Sequence, residues 1–439
     1  TSGEFAAAIS KAASVDVEAA FATFLDQPGE PEITATAVCD RDRPPRVQLS
    51  QQRYVPPGAP TPPATRPWIV PVCVAYDRGG KRGEACGMLS AATGELELPA
   101  PSCPRWVMPN LGGRGYYHTA YTPAQITALR DQGWSQLQPT ERRAAYIDTM
   151  GAATIGKLPL ALALSLVPGQ LAAGDRFSVR GALELPRELR EFVPDDLRPR
   201  YEAWMRSTFG AAAHKAGLSP RDSDSLDVED ARDNLVYTVA GVGRDPALDA
   251  EAVKLSEHWR DQPQGIRQTV IALAARTSPA AFDRLLKDVV GEEDRGRRRD
   301  LVFGLASVRD VKQEAAVLGL LLDERIDIRD TMFLVFAIEE EANRVVAQRY
   351  FQDHKDALLK RIPAEGPTSG QAWLAGLFTA SCSAERRAEI VDYVTRTFAS
   401  MPGGARSVQQ AIEGMDQCIA RRKLMEPEIR SWLGKPARP

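Results

Sequence analysis

Histidine, cysteine and grouped carboxylates are the side chains best suited to chemistry, and this chain uses them sparingly. Its 439 residues include only four histidines, His118, His214, His258 and His354. No two lie within four residues, and none is followed by glutamate. Metal-assisted hydrolysis on a helix needs two histidines one turn apart and a glutamate beside the first, to ligate zinc and activate water. That His-Glu-x-x-His string is absent. No Gly-x-Ser-x-Gly elbow is present either. Gly151 to Lys157 has P-loop spacing, but Leu158 stands where a Ser or Thr must follow the lysine. Tyr116, Tyr117 and His118 could steady an oxyanion, yet they fall at a strand end where aromatics pack. Glu339-Glu340-Glu341 and the run Arg295 to Arg299 read as solvated helix surface, because consecutive helical residues point in different directions.

The six cysteines are Cys39, Cys73, Cys86, Cys103, Cys382 and Cys418. None forms a Cys-x-x-Cys pair, which excludes zinc-ribbon and thioredoxin-type sites. If Arg78-Gly79-Gly80-Lys81 turns the chain, Cys73 and Cys86 become directly opposed on a hairpin. Opposed Cβ atoms lie about 4.5–5.5 Å apart, near what a disulfide needs; two buried free thiols are the alternative. We expect Cys73–Cys86, Cys39–Cys103 and Cys382–Cys418 disulfides, and therefore an exported, oxidising location, periplasmic or secreted.

These residues sit in three successive textures. Residues 4 to 26 have the apolar spacing of two helices, with Phe5, Ile9, Phe21 and Phe24 on the recurring face. Residues 31 to 121 alternate and are rich in β-branched residues, predicting seven short strands and a β-sandwich. The Pro-rich stretch Pro56 to Pro67 reads as a mobile loop between two of them. From Thr122 onward helices come in pairs about 35–45 residues apart, as in HEAT or armadillo arrays. Net charge is -3, from 55 basic and 58 acidic residues, which leaves no basic footprint for nucleic acid. The longest apolar run, Leu158 to Val167, is too short to cross a bilayer.

Several strings in this order resemble the C-terminal portion of the aminopeptidase N family of zinc metallopeptidases, the gluzincins. Phe24-Leu25-Asp26-Gln27-Pro28-Gly29-Glu30-Pro31 is similar to the family's link between catalytic domain and sandwich, with Phe24 in place of the usual Trp. Gln51-Gln52-Arg53-Tyr54, Trp68-Ile69-Val70-Pro71-Val72 and Trp106-Val107-Met108-Pro109-Asn110 resemble its sandwich strands. Thr140-Glu141-Arg142 is similar to the start of its helical domain. Cys382, Gly403-Gly404-Ala405-Arg406 and Glu413 to Ile419 look like the exported bacterial branch.

The resemblance implies a multidomain α+β chain. Residues 1–30 would end a thermolysin-like catalytic domain, 31–121 form a β-sandwich, and 122–439 form an all-α HEAT/armadillo-like solenoid. It implies a zinc aminopeptidase whose helical part covers the active site and orients peptides. The metal and catalytic residues would lie upstream, in an N-terminal catalytic half that is a separate, cleaved or missing chain. This chain by itself would then hold no cofactor and be inactive. Arg406 and Arg421 would hold the carboxylate of a peptide substrate, Arg406 near a helix N-terminus that also favours an anion. The competing expectation is a non-catalytic solenoid that binds a protein partner. Thiol titration under denaturation should find none of the six cysteines reactive without reductant and all six with it; six without reductant would refute the disulfides.

Overall fold

Alternating short runs bounded by Pro and Gly leave the first part of the chain no way to bury its apolar residues except as sheet. The structure, a computed structural model, describes residues 1–60, 66–364 and 370–434. The Pro-rich loop expected over 56–67 therefore falls partly, at 61–65, outside the described residues. Seven strands form: β1 Pro31–Val38, β2 Arg46–Arg53, β3 Val70–Arg78, β4 Lys81–Leu89, β5 Thr93–Glu97, β6 Val107–Met108 and β7 His118–Ala120. They make a four-stranded sheet, β5-β2-β1-β7, and a three-stranded sheet, β4-β3-β6. β1 pairs antiparallel with β2 and parallel with β7.

The inward residues of both sheets share one core. Ile33, Val47 and Leu49 from the first sheet meet Val70, Val72, Val74 and Leu89 from the second, with Trp68 and Tyr76. Each side chain buried there contributes about 1.5–3 kcal/mol. The β3–β4 register places Cys73 opposite Cys86, and the disulfide forms. Cys39–Cys103 and Cys382–Cys418 form as expected too.

By its contacts the chain divides into two units: Thr1–Gly174 with the segment from Leu424 onward, and Asp175–Lys423. In the first unit, helix Pro139–Thr154 is fastened to the sandwich through Glu141, which is fully buried. Its carboxylate accepts from both Arg82 Nη atoms at 2.7 Å, from Gly112 N at 2.9 Å and from Gln138 N at 2.8 Å. Burial alone would raise its pKa; Arg82 and the two backbone donors outweigh that and hold it low. Such a carboxylate is tolerated in the interior only because every oxygen is satisfied.

The second unit is helical. Aspartate or serine caps start many of its helices: Asp245 before Pro246–Leu255, Ser278 before Pro279–Gly291, Asp294 before Arg295–Leu305 and Asp310 before Val311–Leu318. Helix Gln264–Thr277 is buried over eight residues, so it runs through the core rather than along a surface. The basic run expected to be solvated is exposed at Arg295 and Arg299, and three of its arginines also form ion pairs. Arg295 and Arg298 hold the buried Asp330 at 2.5 and 2.9 Å, and Arg297 holds Glu292 at 2.9 Å. Past Asp327 the chain forms only a short helix, Ile328–Thr331, and a 3-10 turn, Leu334–Phe336.

One buried contact in this unit carries a proton. Glu314 and Asn343, both at 0% exposure, meet through Asn343 Nδ2 to Glu314 Oε2 at 3.2 Å. Glu314 Oε1 and Asn343 Oδ1 are left without partners. A proton on the carboxyl removes the charge that burial there disfavours. Burial pushes the Glu314 pKa from 4.5 up to about 8, against the opposing pull of the Asn343 hydrogen bond. The folded state thus holds a proton the unfolded chain releases, so stability is full below about pH 4.5 and falls until about pH 8. The slope from this group is at most ~1.4 kcal/mol per pH unit. Urea midpoints measured across that window should show the loss, and Glu314→Gln should remove this contribution; an unchanged profile in the variant would contradict it.

Candidate functional site

Helix Arg176–Leu189 starts at the Asp175 cap and ends in a run of charge, Arg187, Glu188, Arg190 and Glu191. Those four side chains line a cavity of about 410 Å³ in the helical unit, with Glu339, Arg344, Cys418 and Arg421 across from them. Glu340, the extended N-cap of helix Glu341–Arg361, and Glu339 before it both reach Arg190. Arg190 Nη1 lies 2.9 Å from Glu339 and Nη2 2.5 Å from Glu340. Burial disfavours the Arg190 charge, but the two carboxylates outweigh it and raise its pKa. The glutamate triplet expected as solvated surface is therefore partly a half-buried ion pair, because two of its members precede the helix.

The other charges around the cavity are also matched. Arg344 bonds Glu191 at 2.9 Å and Glu341 at 2.7 Å. Arg421 pairs with Glu188 and lies over the Phe192 ring at 5.6 Å. Tyr237 donates to Glu339, and burial followed by that carboxylate raises the tyrosine pKa. Burial, then Arg276 and Arg244, push Arg309 down to about 10. Arg187 is the exception. It donates to Asn234 at 3.4 Å and faces the Tyr237 ring at 6.0 Å, but it has no carboxylate partner among the described residues. A half-buried guanidinium in that state is a receptor for an anion, with a carboxylate the best geometric match.

The two arginines singled out from sequence lie on one helix, Gly404–Leu433. Gly403 takes a left-handed φ of 70°, and a Cβ on Gly404 would fall 1.9 Å from the Phe398 carbonyl oxygen, so this pair of glycines is needed to start it. Arg421 is on the cavity wall. Arg406 is exposed and 15 residues away, about 22 Å along the helix axis. One carboxylate cannot reach both. Arg187 was not found from sequence; no local spacing marks it.

The histidines are scattered. His118 meets Glu30 at 2.8 Å and stacks on Tyr54 at 4.1 Å, and His214 meets Asp245 at 3.0 Å. Lys157, of the rejected P-loop spacing, holds the buried Glu32 at 2.6 Å. Among the described residues no group of three or more His, Cys, Asp or Glu is placed to hold a metal ion. With no His-Glu-x-x-His in the sequence, this chain's own residues do not fit a catalytic zinc.

Residues 106–417 match the family model described as the ERAP1-like C-terminal domain. No curated protein matches the chain. No helix among the described residues is long and apolar enough to cross a membrane.

Arg190→Ala would leave Glu339 and Glu340 half-buried without their shared cation. It should cost about 3 kcal/mol, read as a lowered denaturant midpoint; a loss under about 0.5 kcal/mol, ordinary for a surface site, would contradict this reading of the pair.

Proposed function

Because the chain belongs to the ERAP1-like C-terminal domain family, the C-terminal domain of M1 aminopeptidases, we propose that it is the C-terminal part of an exported zinc aminopeptidase. The match over 106–417 carries this reading. It is of the gluzincin type and of the bacterial branch that the cysteine and Gly-Gly-Ala-Arg strings resemble. Three disulfides fit the oxidising environment such an enzyme would meet. The zinc-bearing catalytic part lies outside these residues. Helices Ser2–Ala13 and Glu18–Leu25 are the end of that thermolysin-like half. Phe5, Val15 and Leu25 on or beside them are more than half exposed, which supports an apolar partner surface there.

The role of this chain is to receive peptides and orient them. The solenoid presents the Arg-lined cavity to the carboxylate of a peptide. Arg187 supplies the unpaired guanidinium, and Arg421 lines the same cavity with its charge shared with Glu188. Arg406 lies too far along its helix to join that contact. Bond cleavage belongs to the other half, and no step of it is assigned to residues here.

Calorimetry on the full chain, with a short peptide acid and the same peptide amidated, tests the cavity. The acid should bind at least about tenfold more tightly, as a charge-assisted contact worth ~1.5–3 kcal/mol requires, and Arg187→Ala should bring the acid to the level of the amide. Equal affinity of acid and amide for the unaltered chain would refute it.

A further inference from the structure

Beside the carboxylate-binding cavity is a second one of about 300 Å³, and the two share Arg187 and Glu339. Its walls include Asp233, Gln268, Thr269, Phe303 and Phe336. Glu339 already holds Arg190 and Tyr237. Asp233 does not have such a partner. It accepts a hydrogen bond from Thr269 and forms no ion pair among the described residues. Burial raises its pKa; the Thr269 hydrogen bond and the more distant Arg187 pull it back. Asp300, which also acts on it, is an anion and is itself paired with Arg267 at 2.8 Å.

The cavity therefore contains one unmatched cation and one unmatched anion. Arg187 comes from helix Arg176–Leu189 and Asp233 from helix Leu226–Tyr237, and no ion pair joins them among the described residues, although the Arg187 charge pulls the Asp233 pKa down. Around these two, the nearby ion pairs are closed. A ligand that completes both must carry a carboxylate and, a few bonds away, a positive charge. Between them the walls offer apolar surface from Phe303, Phe336 and Ala272, against which the methylene stem of a long cationic side chain would pack.

We propose that this second cavity receives the last side chain of the bound peptide and selects lysine or arginine. The peptide carboxylate sits on Arg187 and the side-chain cation on Asp233. An apolar last residue would take water from Asp233 and return no partner, and an acidic one would face a like charge. This rests on the assignment of the carboxylate to Arg187 above.

The test is calorimetry on the full chain with one peptide sequence varied only at its last residue, as Lys, Leu or Glu, and with the Lys peptide also amidated. The Lys acid should bind about tenfold or more tightly than the Leu acid, and the Glu acid most weakly. Asp233→Asn should bring the Lys-to-Leu ratio close to one, and Asp233→Glu, which keeps the charge, should preserve a preference for Lys. Equal binding of Lys and Leu peptides by the unaltered chain, or an undiminished ratio in Asp233→Asn, overturns the proposal. If acid and amide bind alike while Lys still outranks Leu, the carboxylate assignment fails and the basic subsite stands. Absence of any binding at millimolar peptide overturns both.

Discussion

The helical unit depends on how Arg190 is satisfied. Its guanidinium is mostly buried, and such a cation is tolerated only when closely paired. Glu339 and Glu340 supply two carboxylates from adjacent positions, which a regular helix would turn apart. Glu340 is extended and the helix starts at Glu341, and both glutamates reach one arginine. That choice draws the end of helix Arg176–Leu189 to the segment before Glu341–Arg361. The neighbours of Arg190 in sequence then line the same cavity. Glu188 and Glu191 find Arg421 and Arg344. Arg187 is left with a positive charge and no carboxylate. The guanidinium that the cavity offers is a remainder of that charge balance.

The first unit is governed by a similar constraint. Glu141 is buried completely, and four donors from strand, loop and helix start converge on it. Two of these are the arms of Arg82, which makes the contact bidentate and directional. A helix N-terminus is also where a carboxylate is best placed. Through that one residue, helix Pro139–Thr154, the Gly112 turn and strand β4 are held in register.

What could be read from sequence was whatever rests on local spacing. Seven strands, the Cys73–Cys86 hairpin and the helical texture from Thr122 onward all follow from neighbours a few residues apart. Composition and string order were enough to suggest the family that the match over 106–417 shows. The candidate site was much less legible. Arg190 and Glu339 are 149 residues apart, and Arg421 and Glu188 are 233 apart. No pattern in a single sequence marks such partners. For the same reason the ion pairs of Glu339 and Glu340 with Arg190, and of Arg298 with Asp330, escaped the sequence, while Arg295, Arg299 and Glu341 are exposed as expected. Arg421 was found through the resemblance. Arg187 was missed because its importance lies in what it does not touch.

The central claim is that this chain receives peptides while the metal chemistry resides outside its residues. The most direct measurement is metal content and aminoacyl-dye hydrolysis for residues 1–439 alone and for the enzyme purified from its natural source, with mass spectrometry of the zinc-carrying polypeptide. The account predicts no stoichiometric zinc and no hydrolysis for 1–439 alone. It predicts zinc and activity in the natural enzyme, on sequence bearing His-Glu-x-x-His beyond these residues. Stoichiometric zinc and chelator-sensitive hydrolysis in 1–439 alone would contradict it.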